Sequence, residues 1–182
     1  LSSAKPVELG AGLQFLWSGQ YAHFSNDSQN VTSADRLHLE PTIRLPYNTA
    51  ALELLFEGSL LQTYYQQNMQ LPSTVLDKSV QRSMPKLSMN GKLNFERDSN
   101  WFGEHSLQTL EPQIQYLYIP YRDQTNIALF DTARLQDDYY GLFRQNRYSG
   151  LDRINDTNQL TLGWTTRVYD QQDTERFRFS MG

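Results

Sequence analysis

The sequence predicts an all-β fold: an antiparallel, up-and-down sheet forming about seven strands of a larger transmembrane β-barrel. Three observations carry that prediction. Period-two alternation recurs in runs that exceed about ten residues, where soluble strands centre on roughly 5–6. The connections alternate between short turns and long polar stretches. The composition is hydrophilic yet aromatic, which suits a sheet whose two faces meet different surroundings.

The 182 residues fit one domain, with 38% apolar residues, 11 Tyr and 9 Phe, and a mean hydropathy of −0.63. The aromatic content argues against disorder. A net charge of −4 disfavours nucleic acid as a partner. There are no cysteines, which removes a disulfide framework or thiolate metal site within this stretch. No apolar run approaches the roughly 18 residues of a membrane-spanning helix, a test that alternating barrel strands never meet. Both ends, LSSAKP and RFRFSMG, read as cuts within a longer protein.

In chain order, residues 7–25 begin with Leu9, Leu13, Phe15 and Trp17 in phase and lose it near Ser18-Gly19, predicting a bulge or bend at Gly19. In 36–45, Leu37, Leu39, Ile43 and Leu45 oppose His38, Glu40 and Arg44. In 50–66, Leu52, Leu54, Phe56, Leu60 and Tyr64 oppose Glu53, Glu57, Ser59 and Thr63, with Leu55 and Leu61 out of pattern. In 80–97, Leu87, Met89, Leu93 and Phe95 oppose Lys86, Lys92, Asn94 and Glu96. In 106–119, Leu110, Ile114, Tyr116 and Tyr118 oppose Glu111, Gln113 and Gln115. The cleanest run is 157–169, with Leu160, Leu162, Trp164 and Val168 on one face. The last stretch sets Phe177 and Phe179 against Arg176 and Arg178.

The connections predicted as long are 26–34, 67–79 and 122–156; those at 46–49, 98–105 and 170–174 are short. Short periplasmic turns at one end and long extracellular loops at the other are the sidedness of an outer-membrane barrel. Prolines in LEP at 39–41 and 110–112 and in MP at 84–85 mark expected gaps in the ladder.

Specific runs resemble a known family. TLEPQIQYLYIPYRDQ (109–124), LFR (142–144), YSGLDRI (148–154), NQLTLGWTTRVYD (158–170) and ERF (175–177) are similar, in order and spacing, to the LptD family of outer-membrane lipopolysaccharide assembly proteins. Upstream, LHLEPTIRLP (37–46), YYQQ (64–67) and FERD (95–98) continue the likeness. The resemblance implies that residues 1–182 are a middle portion of the C-terminal barrel domain, with no second domain. The family's N-terminal periplasmic jellyroll, its disulfide-forming cysteines and its closing seam would lie elsewhere. It further implies residence in the outer membrane of a Gram-negative bacterium, outer-membrane lipids around the wall, and a task without covalent chemistry or cofactor. That task is delivery of lipopolysaccharide to the outer leaflet, with an LptE-type plug lipoprotein in the barrel. An LptA-type periplasmic bridge would be reached through the missing N-terminal domain.

On that reading Glu40, Arg44, Glu53, Glu57, Glu111, Arg167, Arg176 and Arg178 face a wet lumen and are candidate contacts for the passing head group, or solvated rungs of a polar wall. Arg144, Arg147 and Arg153 in the long loop are candidate contacts for plug or head group, or for the loop itself. Trp17, Tyr21, Tyr64, Tyr65, Tyr116, Tyr118 and Tyr121 are candidates for interfacial girdles. Catalysis has little support: His23, His38 and His105 are scattered, and Glu53 and Glu57 fit a lumenal stripe. Two other architectures share parts of this pattern. One is a different porin or transporter barrel, and the other is a soluble β-sandwich binding lipid or glycan.

Overall fold

A computed structural model describes residues 2, 5–25, 31–69, 75–101, 103–136 and 138–182. Nine strands follow one another: Val7–Gly10 (β1), Leu13–Ser25 (β2), Val31–Asn48 (β3), Leu52–Met69 (β4), Ser79–Leu93 (β5), Phe95–Trp101 (β6), Glu104–Ile119 (β7), Thr157–Tyr169 (β8) and Glu175–Met181 (β9). One helical turn, Tyr139–Leu142 (α1), interrupts the β7–β8 connection. They form one open antiparallel sheet in the order β1-β2-β3-β4-β5-β7-β8-β9, with β6 pairing β7. Apart from β5 and β7, which share the sheet with β6 between them in the chain, each neighbour in space is the neighbour in sequence, the up-and-down meander that the alternation predicts.

Nine strands replace about seven because two predicted runs are each divided. The first divides at Gly10-Ala11-Gly12, where all three residues have positive φ (96°, 52° and 79°) and reverse the chain into a hairpin. Gly19, predicted as the bend, sits in an unbroken ladder opposite Leu39. Its role is room: a Cβ there would meet Leu39 Cδ2 at 3.0 Å. The phase is kept past it, since Tyr21 lies on the same face as Trp17. The second division is at Asn94, whose amide donates to Ala51 O (2.9 Å) as the ladder with β4 ends. Beyond it, β6 continues on β7 in the register of β5.

Two gaps in the ladder fall on prolines, as expected from the missing donor. The β3–β4 pairing skips Glu40-Pro41, and the pairing of β5 and β6 with β7 skips Leu93-Asn94 against Glu111-Pro112. Register is the same on both sides of each gap.

At one end of the sheet β1 meets β2, β3 meets β4, β6 meets β7 and β8 meets β9; at the other β2 faces β3, β4 faces β5, and β7 and β8 are joined through the longest connection, 120–156. The strands extend further into several connections than the sequence pattern indicates, so 26–34 and 98–105 shrink; most of the first and part of 67–79 fall outside the described residues.

The faces divide as predicted. One, here the outer, presents Leu37, Leu39, Ile43, Leu45, Phe56, Leu60, Leu87, Leu110, Leu160, Leu162, Phe177 and Phe179, all exposed. The other, the inner, carries the polar residues and, towards the long-loop end, a core. Leu61, Met84, Leu117 and Ile119 form one buried cluster with Ile154 against it; Tyr65, Val80 and Ile127 form a second with Phe130. Leu61, out of pattern in the sequence, is therefore an inner residue beneath a loop. Met84 is fully buried, so Met84→Ala is expected to destabilise by about 2–5 kcal/mol, whereas Leu87→Ala on the exposed face costs markedly less; denaturant unfolding compares the two.

Candidate functional site

The inner face has two zones, distinguished by what lies on it. Towards the long-loop end, residues 120–156 fold back across the sheet from β2 to β9. Phe130 stacks on Phe24 of β2 at 4.8 Å between centroids. At the opposite edge, Tyr140 of α1 lies under the Arg178 guanidinium of β9, 5.9 Å away. Between them, Phe143 rests on Gly163, where a Cβ would approach its ring to 2.8 Å. The result is a crossbeam bound to the inner wall.

A buried ionic cluster holds it. Asp152, fully buried, accepts from Arg36 Nη1 at 2.8 Å and Tyr65 OH at 3.1 Å through Oδ1. Its Oδ2 accepts the amides of Phe130 (2.7 Å) and Asp131 (2.9 Å). Asp131 completes a second pair with Arg36, at 2.9 and 2.6 Å. Arg82 donates to the carbonyls of Leu151 and Asp152 and to Gln124 and Thr63. Gln67 donates to Asp77 O and Asn126 O and accepts from the Ala128 amide. One wall guanidinium, Arg36, thus meets both loop carboxylates, and a second, Arg82, meets the loop's backbone carbonyls. Gly150 is held against Asp131, and a Cβ there would overlap its Oδ1 at 2.2 Å.

Towards the turn end the charges of the wall are paired across strands. Lys86 donates to Glu40 at 2.6 Å, reaching across β4 where Ser59, opposite Lys86, is too short to intervene. Glu111 accepts from Lys92 (2.9 Å) and lies 3.2 Å from Arg167, which is 3.6 Å from Glu175. Arg44 donates to Gln14, and Glu57 accepts from Ser88 and Gln145. Glu53 accepts from Asn94. Seven of the eight wall residues proposed from sequence therefore lie on the inner-face strands. Arg176 is set apart at a register shift in β9, bonded to Asp170 in the adjoining turn at 2.7 Å.

The three loop arginines bond within their surroundings. Arg144 donates to Gln136 O, Arg147 to Gln159, and Arg153 to the carbonyls of Ile127 and Asp152. Tyr65 does not join an outer girdle: its side chain points inward to Asp152, and its place follows from the parity of β4. Tyr21, Tyr64 and Tyr116 do face outward, with hydroxyls donating to Asp35, Gln66 and Asn158. Sequence reasoning missed Arg36, Arg82, Asp131 and Asp152. The available signal was Leu61, Met84, Leu117 and Ile119 on the polar face, which a wholly wet wall would not carry.

These features define a segment of β-barrel wall, apolar outside and polar within, with an inward-folded loop. Comparison with known proteins identifies the family: the LptD model, LPS transport system D, matches residues 3–182, and the chain belongs to that family. It is 49% identical over 168 residues to the LPS-assembly protein LptD of Pseudoalteromonas translucida, covering 92% of this chain and 22% of the relative. It is 47% identical to that of Shewanella frigidimarina (93% and 22%) and 48% identical to that of Salmonella paratyphi A (90% and 22%). The chain thus spans about a fifth of the length of the curated relatives it matches.

Asp152→Ala leaves Arg36 enclosed without its buried counter-charge, and is expected to cost about 3–5 kcal/mol in denaturant unfolding; Asp131→Ala, at a partly exposed carboxylate, costs less. The Asp131 carboxyl lies below the usual carboxylate range because it accepts from the Arg36 guanidinium. A depressed folded value means its stabilisation is complete above the unfolded value of about 3.9, and is lost as pH falls through the lower folded one. Hydrogen-exchange protection of residues 120–156, corrected for intrinsic rates, is expected to hold from neutral pH down to about pH 4. Release of the loop nearer neutrality would contradict this origin for the clamp.

Proposed function

We propose that this chain is part of the wall of an outer-membrane barrel that places lipopolysaccharide in the outer leaflet of a Gram-negative bacterium. The observation that carries the reading is the two-faced sheet in a chain of the LptD family. The outer apolar stripe of β3 runs from Leu37 to Tyr47. At about 3.4 Å per residue along a strand tilted about 45°, that covers about 24 Å, close to the apolar band of outer-membrane barrels. Tyr21, Tyr64 and Tyr116 bound the band at the long-loop end, and Tyr47 with the stacked Trp101–Phe177 pair bounds it at the turn end. Both suit aromatic girdles. Above the first girdle the outer face turns polar with Ser33, Asp35, Gln66 and Gln81, which suits a crossbeam on the extracellular side.

All 182 residues belong to one barrel domain, with outer-membrane lipids around it. The role is conduction and support rather than catalysis. Glu40, Arg44, Glu53, Glu57, Glu111, Arg167 and Arg178 line the polar path of the head group, and Arg176 marks its periplasmic rim. The crossbeam, with Arg144, Arg147 and Arg153 on it, is the surface offered to an LptE-type plug lipoprotein. An LptA-type bridge would deliver lipopolysaccharide through the remainder of the full-length protein.

The test is facial asymmetry in the full-length protein. Leu162→Arg on the outer face is expected to impair barrel assembly, at about 2–4 kcal/mol near mid-membrane. Gln113→Glu, opposite Lys92 in register on the inner face, is expected to be tolerated. Thr165, also on the inner face, is a poor control because the Tyr139 hydroxyl of the crossbeam lies 3.3 Å from its own. Heat-modifiable mobility of extracted protein reads assembly, and equal tolerance of the Leu162 and Gln113 changes would overturn the reading.

A further inference from the structure

We infer that the outer face holds a seat for one extended acyl chain of a bilayer lipid. The inference rests on the membrane-spanning reading above. A cavity of about 800 Å³ opens on that face where the ladder is interrupted at Pro112. Its lining follows two adjacent rungs across the sheet. Leu54, Gly91, Ile114 and Leu162 oppose one another in register along the first, and Pro112, Trp164 and Met181 along the second.

The depression has a local cause. Gly91 has no side chain, and a Cβ there would meet Ile114 Cγ2 at 3.0 Å and Leu54 Cδ2 at 3.2 Å, so glycine leaves these neighbours room to lie low. Pro112 adds a short ring at the missing ladder bond. Around them stand larger, more exposed side chains, Leu162 at 61% and Met181 at 58%.

Charge and dimensions select the occupant. The one charged lining residue, Lys92, turns to Glu111 on the inner face, which leaves the walls neutral and apolar. The rungs cross from β4 to β9, four strand spacings of about 4.8 Å, or about 19 Å. A fully extended hydrocarbon advances about 1.3 Å per carbon given bonds near 1.52 Å, so the groove takes at least about 15 carbons. A row perpendicular to strands tilted about 45° is itself about 45° from the membrane normal, open to a lipid tail descending from a leaflet. Lipid tails are as apolar as Leu, so the gain is contact rather than dehydration. A straight chain fills the trough, where a smooth wall would offer no preferred position.

The experiment uses the full-length protein in vesicles of phosphatidylethanolamine and phosphatidylglycerol, with a trace of phospholipid bearing a photoactivatable diazirine on its acyl chain. Cross-links are expected to concentrate on peptides containing Leu54, Leu110–Ile114 and Leu162–Trp164. Leu162→Trp, which fills the trough, should lower that yield several-fold, while Leu39→Trp, on the same band away from it, leaves it unchanged. Cross-links spread evenly over the outer face, or equal effects of the two substitutions, would overturn the seat and leave the membrane reading intact. Absence of cross-links from the whole outer face would overturn the membrane reading itself.

Discussion

The buried carboxylate of Asp152 is the contact on which the arrangement of the inner wall depends. A carboxylate without solvent is tolerated only when its lone pairs are occupied and its charge is matched. Here four donors converge on it, one each from β3 and β4 and two from the loop's own backbone. The same residue's carbonyl accepts from Arg82 of β5, and its amide donates to Thr132. One side chain and its peptide groups therefore fix three strands and both arms of a long connection. The apolar clusters around Met84 and Tyr65 then become a core, because the loop that covers them has a single place to lie.

That core is unusual in position, and its position follows from the two solvents proposed for the wall. A barrel strand has no buried face of the ordinary kind, since one side meets lipid and the other water. Apolar residues on the inner side therefore need cover from another part of the chain. The cover begins at the girdle level, where β3, β4 and β5 pass beyond the outer apolar band. Below it the inner face returns to polar rungs: Lys86 reaches Glu40 across β4, and Lys92, Glu111 and Arg167 pair across neighbouring strands. The same three strands thus change character along their length while keeping a single register.

Much of this was legible in the sequence, and the limits have physical causes. Facing was readable because a period of two is enforced wherever one side must be apolar, as Leu37 to Leu45 and Leu160 to Trp164 display. The family likeness was legible because runs such as TLEPQIQYLYIPYRDQ combine that alternation with fixed prolines and charges. Strand ends were not, since alternation continues into residues that pair beyond the outer apolar band, as with Ser33 and Asp35. Gly19 was misread because a glycine making room for Leu39 and a glycine making a bend look alike in one dimension; the real reversal uses two glycines around Ala11. The Asp152 cluster escaped because its members are 116 residues apart in the case of Arg36. Nothing local marks an aspartate in a loop as the partner of an arginine in a strand.

The division of the inner wall bears on how such a wall would handle an anionic, sugar-rich head group. Free arginines along the path would hold phosphate strongly, through paired, charge-assisted hydrogen bonds. A conduit needs contacts favourable enough to admit its cargo and weak enough to release it. The rungs towards the turn end would meet that requirement because their cations are already engaged: Lys86 by Glu40, Lys92 and Arg167 by Glu111, Arg44 by Gln14. Arg36 and Arg82 would be taken out of such a path by the crossbeam that they bind. The ion cluster would thus shape the proposed passage twice, by folding a loop against the inner face and by occupying two guanidinia.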